Sequence, residues 1–168
     1  ITVAIDSLNE IDETIIVDMG TPVNASQGAA NTHTATITDD DTEPEVNFTV
    51  SSQSGSESGT MTITAQLSAV TGQDVSVPFT VNASSSATDP ADYTITASPV
   101  TIPEGSTTVD ITITVATDSL NEIDETIIVD MGTPVNASQG ATNTHTATIT
   151  DDDTEPEVNF TSASQASG

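Results

Sequence analysis

The chain has no lysine, arginine, cysteine or tryptophan, and its aromatics amount to one tyrosine and three phenylalanines. Each absence removes a class of function. Without side-chain cations nothing displaces the counterions of a phosphate backbone, so nucleic acid is excluded as a partner. The same lack closes the polybasic and basic-amphipathic routes onto an anionic membrane. A catalytic lysine, an arginine clamp and a P-loop lysine are equally missing. With no cysteine there is no disulfide, no thiolate nucleophile and no cysteine-ligated zinc or iron–sulfur site. No run of about 18 apolar residues is present, so no direct membrane partner is expected. Neither an initiator methionine nor a signal-peptide pattern stands at Ile1, and the sequence reads as a window on a longer chain.

What the chain does have is negative charge: 26 Asp and Glu in 168 residues, for a formal net charge of -26. High charge with few aromatics is the usual mark of disorder. Here the 34% hydrophobic content is arranged in strict alternation, which disorder does not require. Met61, Ile63, Ala65 and Leu67 alternate with Thr60, Thr62, Thr64 and Gln66; Val75, Val77, Phe79 and Val81 alternate with Ser76, Pro78 and Thr80. Val109, Ile111, Ile113 and Val115 follow, then Ile127, Val129 and Met131, then Ala147 and Ile149. Period-two patterning over short runs predicts half-buried strands, with threonine on the wet face because its branched Cβ fits the pleat. Turn signals separate the runs, among them Thr71-Gly72, Asp89-Pro90, Pro103-Glu104-Gly105 and Gly132-Thr133-Pro134. Pro78 cannot donate to a ladder and predicts an edge or a bulge. About seven strands without helical periodicity predict an all-β protein, an Ig-like antiparallel β-sandwich.

A repeat organises the chain. Residues 1–49 recur at 113–161, an offset of 112, with 47 of 49 positions identical; Ile5 becomes Thr117 and Ala30 becomes Thr142. A period of 112 residues is too long for a solenoid unit and matches a whole domain. The division is then 1–41 as the C-terminal half of a preceding module, 42–153 as a complete module, and 154–168 as a linker with the first strand of the next. Residues 1–41 hold only the last two or three strands of their module, a marginal assembly by itself.

The acids are not spread evenly. Asp118, Glu122, Asp124 and Glu125 crowd the segment between two predicted strands, and Asp151, Asp152 and Asp153 end the last one. Brought to one pole, these carboxylates repel unless a cation neutralises them. Hard oxygen donors with no cysteine and no nearby histidine favour Ca²⁺ over zinc or copper. The spacing is not that of an EF-hand. The competing reading is a solvated acidic face with no ion.

Five ordered segments resemble the Calx-beta domain family: Gly55–Ile63 with Glu57, Asp92-Tyr93-Thr94, Val100–Thr108, Asp118–Ile127, and Ala147–Asp153. Together they span Val46–Asp153, and the half module matches over the last two. The resemblance implies a seven-stranded sandwich holding calcium at one end, as in sodium/calcium exchangers, an integrin subunit and tandem arrays on microbial surfaces. Carried across by position, the implied ligands are Glu57, Asp92, Asp118, the Leu120 carbonyl, Glu122, Glu125, Asp151, Asp152 and Asp153. In the half module the matching acids are Asp6, Glu10, Glu13, Asp39, Asp40 and Asp41, without partners for Glu57 and Asp92. Eight carboxylates exceed the needs of one ion, which implies two or more Ca²⁺ per complete module. Ala91 stands where the family pattern has serine, and Thr117 stands where exchanger sensors carry another aspartate, the latter implying that one ion binds weakly or is absent.

Other candidates read as structural. His33 and His145 share a repeat position on a strand face and are expected to pack rather than to ligate. No serine has a recognisable His–acid pair, so no enzyme is expected. Asn24, Asn47, Asn82, Asn136 and Asn159 each begin an N-x-[ST] sequon, consistent with an extracellular surface. The expected role is an extracellular, calcium-binding tandem module that extends a microbial cell-surface adhesin. Its partners would be neighbouring copies of the repeat, with other filament subunits or surface glycans as further candidates. The alternatives are a self-assembling filament subunit completed by strand exchange, and a calcium-sensing or ligand-binding adhesin domain.

Overall fold

A computed structural model describes residues 2–162 and 164. Within them all regular structure is strand, in thirteen segments. The half module contributes β1 (Glu13–Asp18) and β2 (Thr32–Ile37). The complete module contributes β3 (Glu45–Phe48), β4 (Ser52–Ser56), β5 (Thr60–Leu67), β6 (Val75–Val77) and β7 (Phe79–Val81). It continues through β8 (Tyr93–Ile95), β9 (Val100–Ile102), β10 (Thr108–Val115), β11 (Glu125–Met131), β12 (Ser138–Gln139) and β13 (Thr144–Thr150).

Two sheets form the sandwich, in the orders β12-β3-β5-β10-β8 and β4-β13-β11-β7, with β6-β9 as a small third sheet. The alternating residues read from the sequence are the ones that turn inward. Met61, Ile63, Ala65 and Leu67 of β5 and Ile111, Ile113 and Val115 of β10 meet Ile127, Val129 and Met131 of β11 and Ala147 and Ile149 of β13 in one core. On the wet side of the first sheet threonines stand opposite one another, Thr62 against Thr112 and Thr60 against Thr114.

Two expectations are corrected. The sandwich is not wholly antiparallel, because β12 pairs parallel to β3 and β13 pairs parallel to β4. The cause is that the opening segment splits, β3 joining one sheet and β4 the other. As expected, Pro78 stands between two edge strands, β7 at the end of its sheet and β6 in a two-stranded one. It divides one alternating run into β6, which pairs with β9, and β7, which pairs with β11. Finally, Glu157–Thr161 forms no strand although it repeats Glu45–Thr49; Phe160 is 96% exposed where its counterpart Phe48 is buried. Phe48 is held by pairing of β3 to β5, and among the described residues no second β5 exists for Phe160.

The two strands of the half module keep the register of their counterparts: Glu13 faces Ile37 as Glu125 faces Ile149. Among the described residues, their inner face has nothing like the complete module's opposing sheet. Met19 is 55% exposed, whereas Met131 at the same repeat position is 6% exposed. His33 is exposed and His145 is fully buried, its Nδ1 2.8 Å from the Val50 carbonyl oxygen and its ring edge-on to Phe48.

Candidate metal centre

Strand direction alone brings the acids together. Glu57 follows the end of β4, Asp92 precedes β8, Asp118 follows β10, Glu125 opens β11 and Asp151 follows β13. Since β10 is antiparallel to β8, β13 is antiparallel to β11, and β4 is parallel to β13, all five positions lie at one pole of the sandwich.

Two groups form there. Glu57, Asp151 and Asp153 each place a carboxylate oxygen within 4.8 Å of the others, and so do Asp92, Glu122 and Glu125. The loops are tied down by the acids themselves. Asp118 Oδ1 accepts from the Leu120 amide at 2.8 Å, and Asp151 Oδ1 accepts from the Glu122 amide at 3.1 Å. Asn121 Nδ2 donates to Asp151 Oδ2 at 2.9 Å, and the Asp151 amide donates to Asp124 Oδ1 at 3.2 Å. On the other side the Thr88 amide donates to Asp92 Oδ2 at 2.6 Å.

The charge at this pole is under strain. Loss of solvent raises the Glu57 pKa above its ordinary value, and the carboxylates of Asp151, Asp118, Asp153 and Glu122 raise it further. Asp153 is raised by loss of solvent and then by Asp152, Asp151 and Asp118. Glu125 is raised by loss of solvent, by the charge of Asp92 and by a hydrogen bond to the Asp92 carboxyl, with Glu122 adding to it. Among the described residues, Glu57 Oε2 and Asp153 Oδ2 are buried without a hydrogen-bond partner. A buried carboxylate oxygen lacking a donor is costly, and a cation is the partner that would satisfy several at once. An all-oxygen donor set fits a hard divalent ion.

Of the residues named from the sequence, Glu57, Asp151 and Asp153 meet in one group and Asp92, Glu122 and Glu125 in the other. Asp118 stands close enough to raise both Glu57 and Asp153. Asp152 is exposed and belongs to neither group, and Leu120 is 61% exposed. In the half module, Glu10 is raised by loss of solvent and then by Asp6, Glu13, Asp39 and Asp41, and Asp41 by loss of solvent and then by Asp40, Asp39 and Asp6. Among the described residues neither three-acid group has a counterpart there. The sequence marked Asp124 only as one of the loop's acids and did not mark Asn121, yet both clamp the loop to Asp151. Their signal was available: short polar side chains in a loop characteristically bond nearby backbone groups.

A family model described as the Calx-beta domain matches residues 39–153. Among solved structures, the apo-form Calx CBD1 domain superposes with a TM-score of 0.60 at 18% identity, covering 67% of this chain and 100% of that one. CBD12 from CALX1.2 gives 0.59 at 19% identity, over 65% of this chain but only 44% of that longer structure. The Calx CBD2 domain gives 0.57 at 16%, over 64% and 86%. No curated protein matches in sequence. With the family model spanning well over half of its length and the same sandwich in its structural neighbours, the chain belongs to the Calx-beta domain family.

Proposed function

We propose that the chain is part of an extracellular tandem-repeat protein whose modules bind Ca²⁺ at their acidic poles and so act as stiff spacers of a microbial cell-surface adhesin or fibre. The observation that carries it is the pair of buried, donor-less carboxylate oxygens of Glu57 and Asp153 within an all-acid pole that lies on the path into the linker. One protein of similar fold, CBD12 of CALX1.1, is a calcium-binding domain, which supports the choice of ion. Glu57, Asp151 and Asp153 would hold one ion, with Asp118 beside them, and Asp92, Glu122 and Glu125 a second. The ion would supply positive charge where the chain supplies only negative.

The chain's own residues do the rest. Asp151 fixes the loop through the Glu122 amide and Asn121, so the end of β13 and the acidic loop already form one unit. The linker that leaves this pole begins with Asp153. At the equivalent linker Pro44 is buried against the complete module, where its carbonyl accepts from the Ser138 amide at 2.9 Å. Both ends of the linker are thereby anchored, and proline fixes φ between them. Near-identical copies suit length, because a sensor gains nothing from repetition.

The test is thermal unfolding in EDTA and then in millimolar Ca²⁺, with Mg²⁺ as control. A calcium-specific rise of about ten degrees is expected, since binding only the folded state stabilises it by mass action. An unchanged midpoint would leave the pole a solvated acidic face. A second reading rests on the exposed inner face of β1 and β2: a filament subunit whose half module is completed by another chain. Concentration-dependent sedimentation of the 168-residue chain would favour it over the spacer.

A further inference from the structure

The loop Leu8-Asn9-Glu10 and the loop Leu120-Asn121-Glu122 are the same sequence in the same fold, yet they differ in surroundings. Leu8 and Asn9 are half-buried; Leu120 and Asn121 are exposed. The difference is the turn after β5. The Asn9 carbonyl accepts two hydrogen bonds from it, from Thr71 Oγ1 at 2.8 Å and from the Gly72 amide at 3.0 Å, and Asn9 and Thr71 form a parallel β-bridge. The approach is close at Gly72, where a Cβ would lie 2.9 Å from Glu10 Cγ, so a branched side chain there would have to displace Glu10 from the turn. Thr71 is fully buried although it sits in a turn, and its carbonyl accepts from the Gly105 amide at 3.1 Å, so the turn is held rigidly on its own module.

We propose that the Thr-Gly turn after β5 is the docking element by which each module seats on the acidic loop of the module before it, and that Leu120–Glu122 is the equivalent seat for another copy of the repeat. The seat has the same internal bonds at both poles. The Leu8 amide donates to Asp6 at 3.0 Å as the Leu120 amide does to Asp118 at 2.8 Å. Asn9 Nδ2 donates to Asp39 at 3.0 Å as Asn121 Nδ2 does to Asp151 at 2.9 Å. The occupant is fixed by repetition: the sequence after Asp153 repeats the sequence after Asp41 through Thr161, and the partner at the first seat is the module that follows Asp41. The joint deepens the spacer reading but uses backbone and hydroxyl groups rather than the ion.

Spin labels placed by Thr34→Cys and Thr62→Cys in the full chain, which has no other cysteine, read the joint directly. In calcium the distance distribution should be narrow, and Gly72→Val should broaden it about twofold by leaving only a flexible linker between the parts. A variant melting point equal to wild type shows that the complete module is intact. Equal widths in both chains would overturn the joint, whatever calcium does to the melting point. For the second seat, solvent paramagnetic relaxation of the Leu120 methyls should fall to the level of Leu8 when one further 112-residue repeat is appended. Unchanged Leu120 relaxation would refute the seat, while a calcium-insensitive melt would refute only the ion.

Discussion

Glu57 sits among like charges, so its neutral amide should help the calcium-free fold and harm the calcium-bound one. Glu57→Gln is expected to raise the melting point in EDTA by a few degrees and to abolish at least half of the calcium-induced shift. Scanning calorimetry with and without the ion checks both halves. The pH dependence has a definite direction. Glu57, Glu125 and Asp153 hold their protons more tightly when folded than their ordinary values of 4.5, 4.5 and 3.8 allow. Protonating them therefore favours the folded state. Calcium-free stability from these groups is complete below the ordinary values and is lost as pH rises through the raised ones. The EDTA melting point should be higher at about pH 5 than at about pH 7.5, and the calcium-induced shift smaller, because protons compete for the same oxygens. At this scale the loop acids and the closing aspartates were legible as clusters, whereas Glu57 came only through the family resemblance: Ser52–Ser56 has no apolar alternation to mark β4, and the pairing of β4 with β13 that brings Glu57 to Asp151 is a long-range fact.

Elements with one sequence and two environments separate propensity from packing. β1 and β11 share all six residues Glu-Thr-Ile-Ile-Val-Asp and pair with their partners in the same register, so local preference and hydrogen bonding are equal. What differs is the opposing sheet. Met131→Ala should cost about 2–5 kcal/mol in denaturant unfolding, and Met19→Ala within about 0.5 kcal/mol, as expected for a core side chain and an exposed one. The histidines make the same comparison. His145 is buried against Phe48 and bound to the Val50 carbonyl, so His145→Ala should destabilise by about 2–4 kcal/mol, with His33→Ala near zero. The alternation of β5, β10, β11 and β13 was fully legible because one face of each meets a core. Short segments were not: β8, β9 and β12 span three, three and two residues, too few for a period to show. The splitting of one run at Pro78 is a choice between sheets, and the residues beside it would fit either.

At the scale of the molecule, a net charge of -26 with no side-chain cation other than histidine makes the surface uniformly repulsive. Monovalent salt screens such a field over a Debye length, about 30 Å at 10 mM and 10 Å at 0.1 M. Sodium chloride should thus raise the EDTA melting point gradually. Millimolar calcium should raise it further than sodium chloride of equal ionic strength, because coordination at the pole is local while screening is general. Equal effects would assign the whole response to screening.

The parallel pairing of β4 with β13 matters for a molecule under tension. β4 is the second strand of the complete module along the chain and β13 its last, and five residue pairs join them, from Ser52 opposite Thr146 to Ser56 opposite Thr150. Pulling the module by its ends drags two parallel neighbours in opposite directions, so the ladder is sheared and its bonds resist together. The antiparallel β1 and β2, pulled from Glu13 and Ile37 at one shared end, peel apart one pair at a time. A force spectrometer should record low-force opening of the half module before a single high-force rupture of the complete one. Ser54→Pro, which removes an amide in the middle of β4, should lower that rupture force and leave the peeling step unchanged. A chain built this way yields last where β4 and β13 lie side by side.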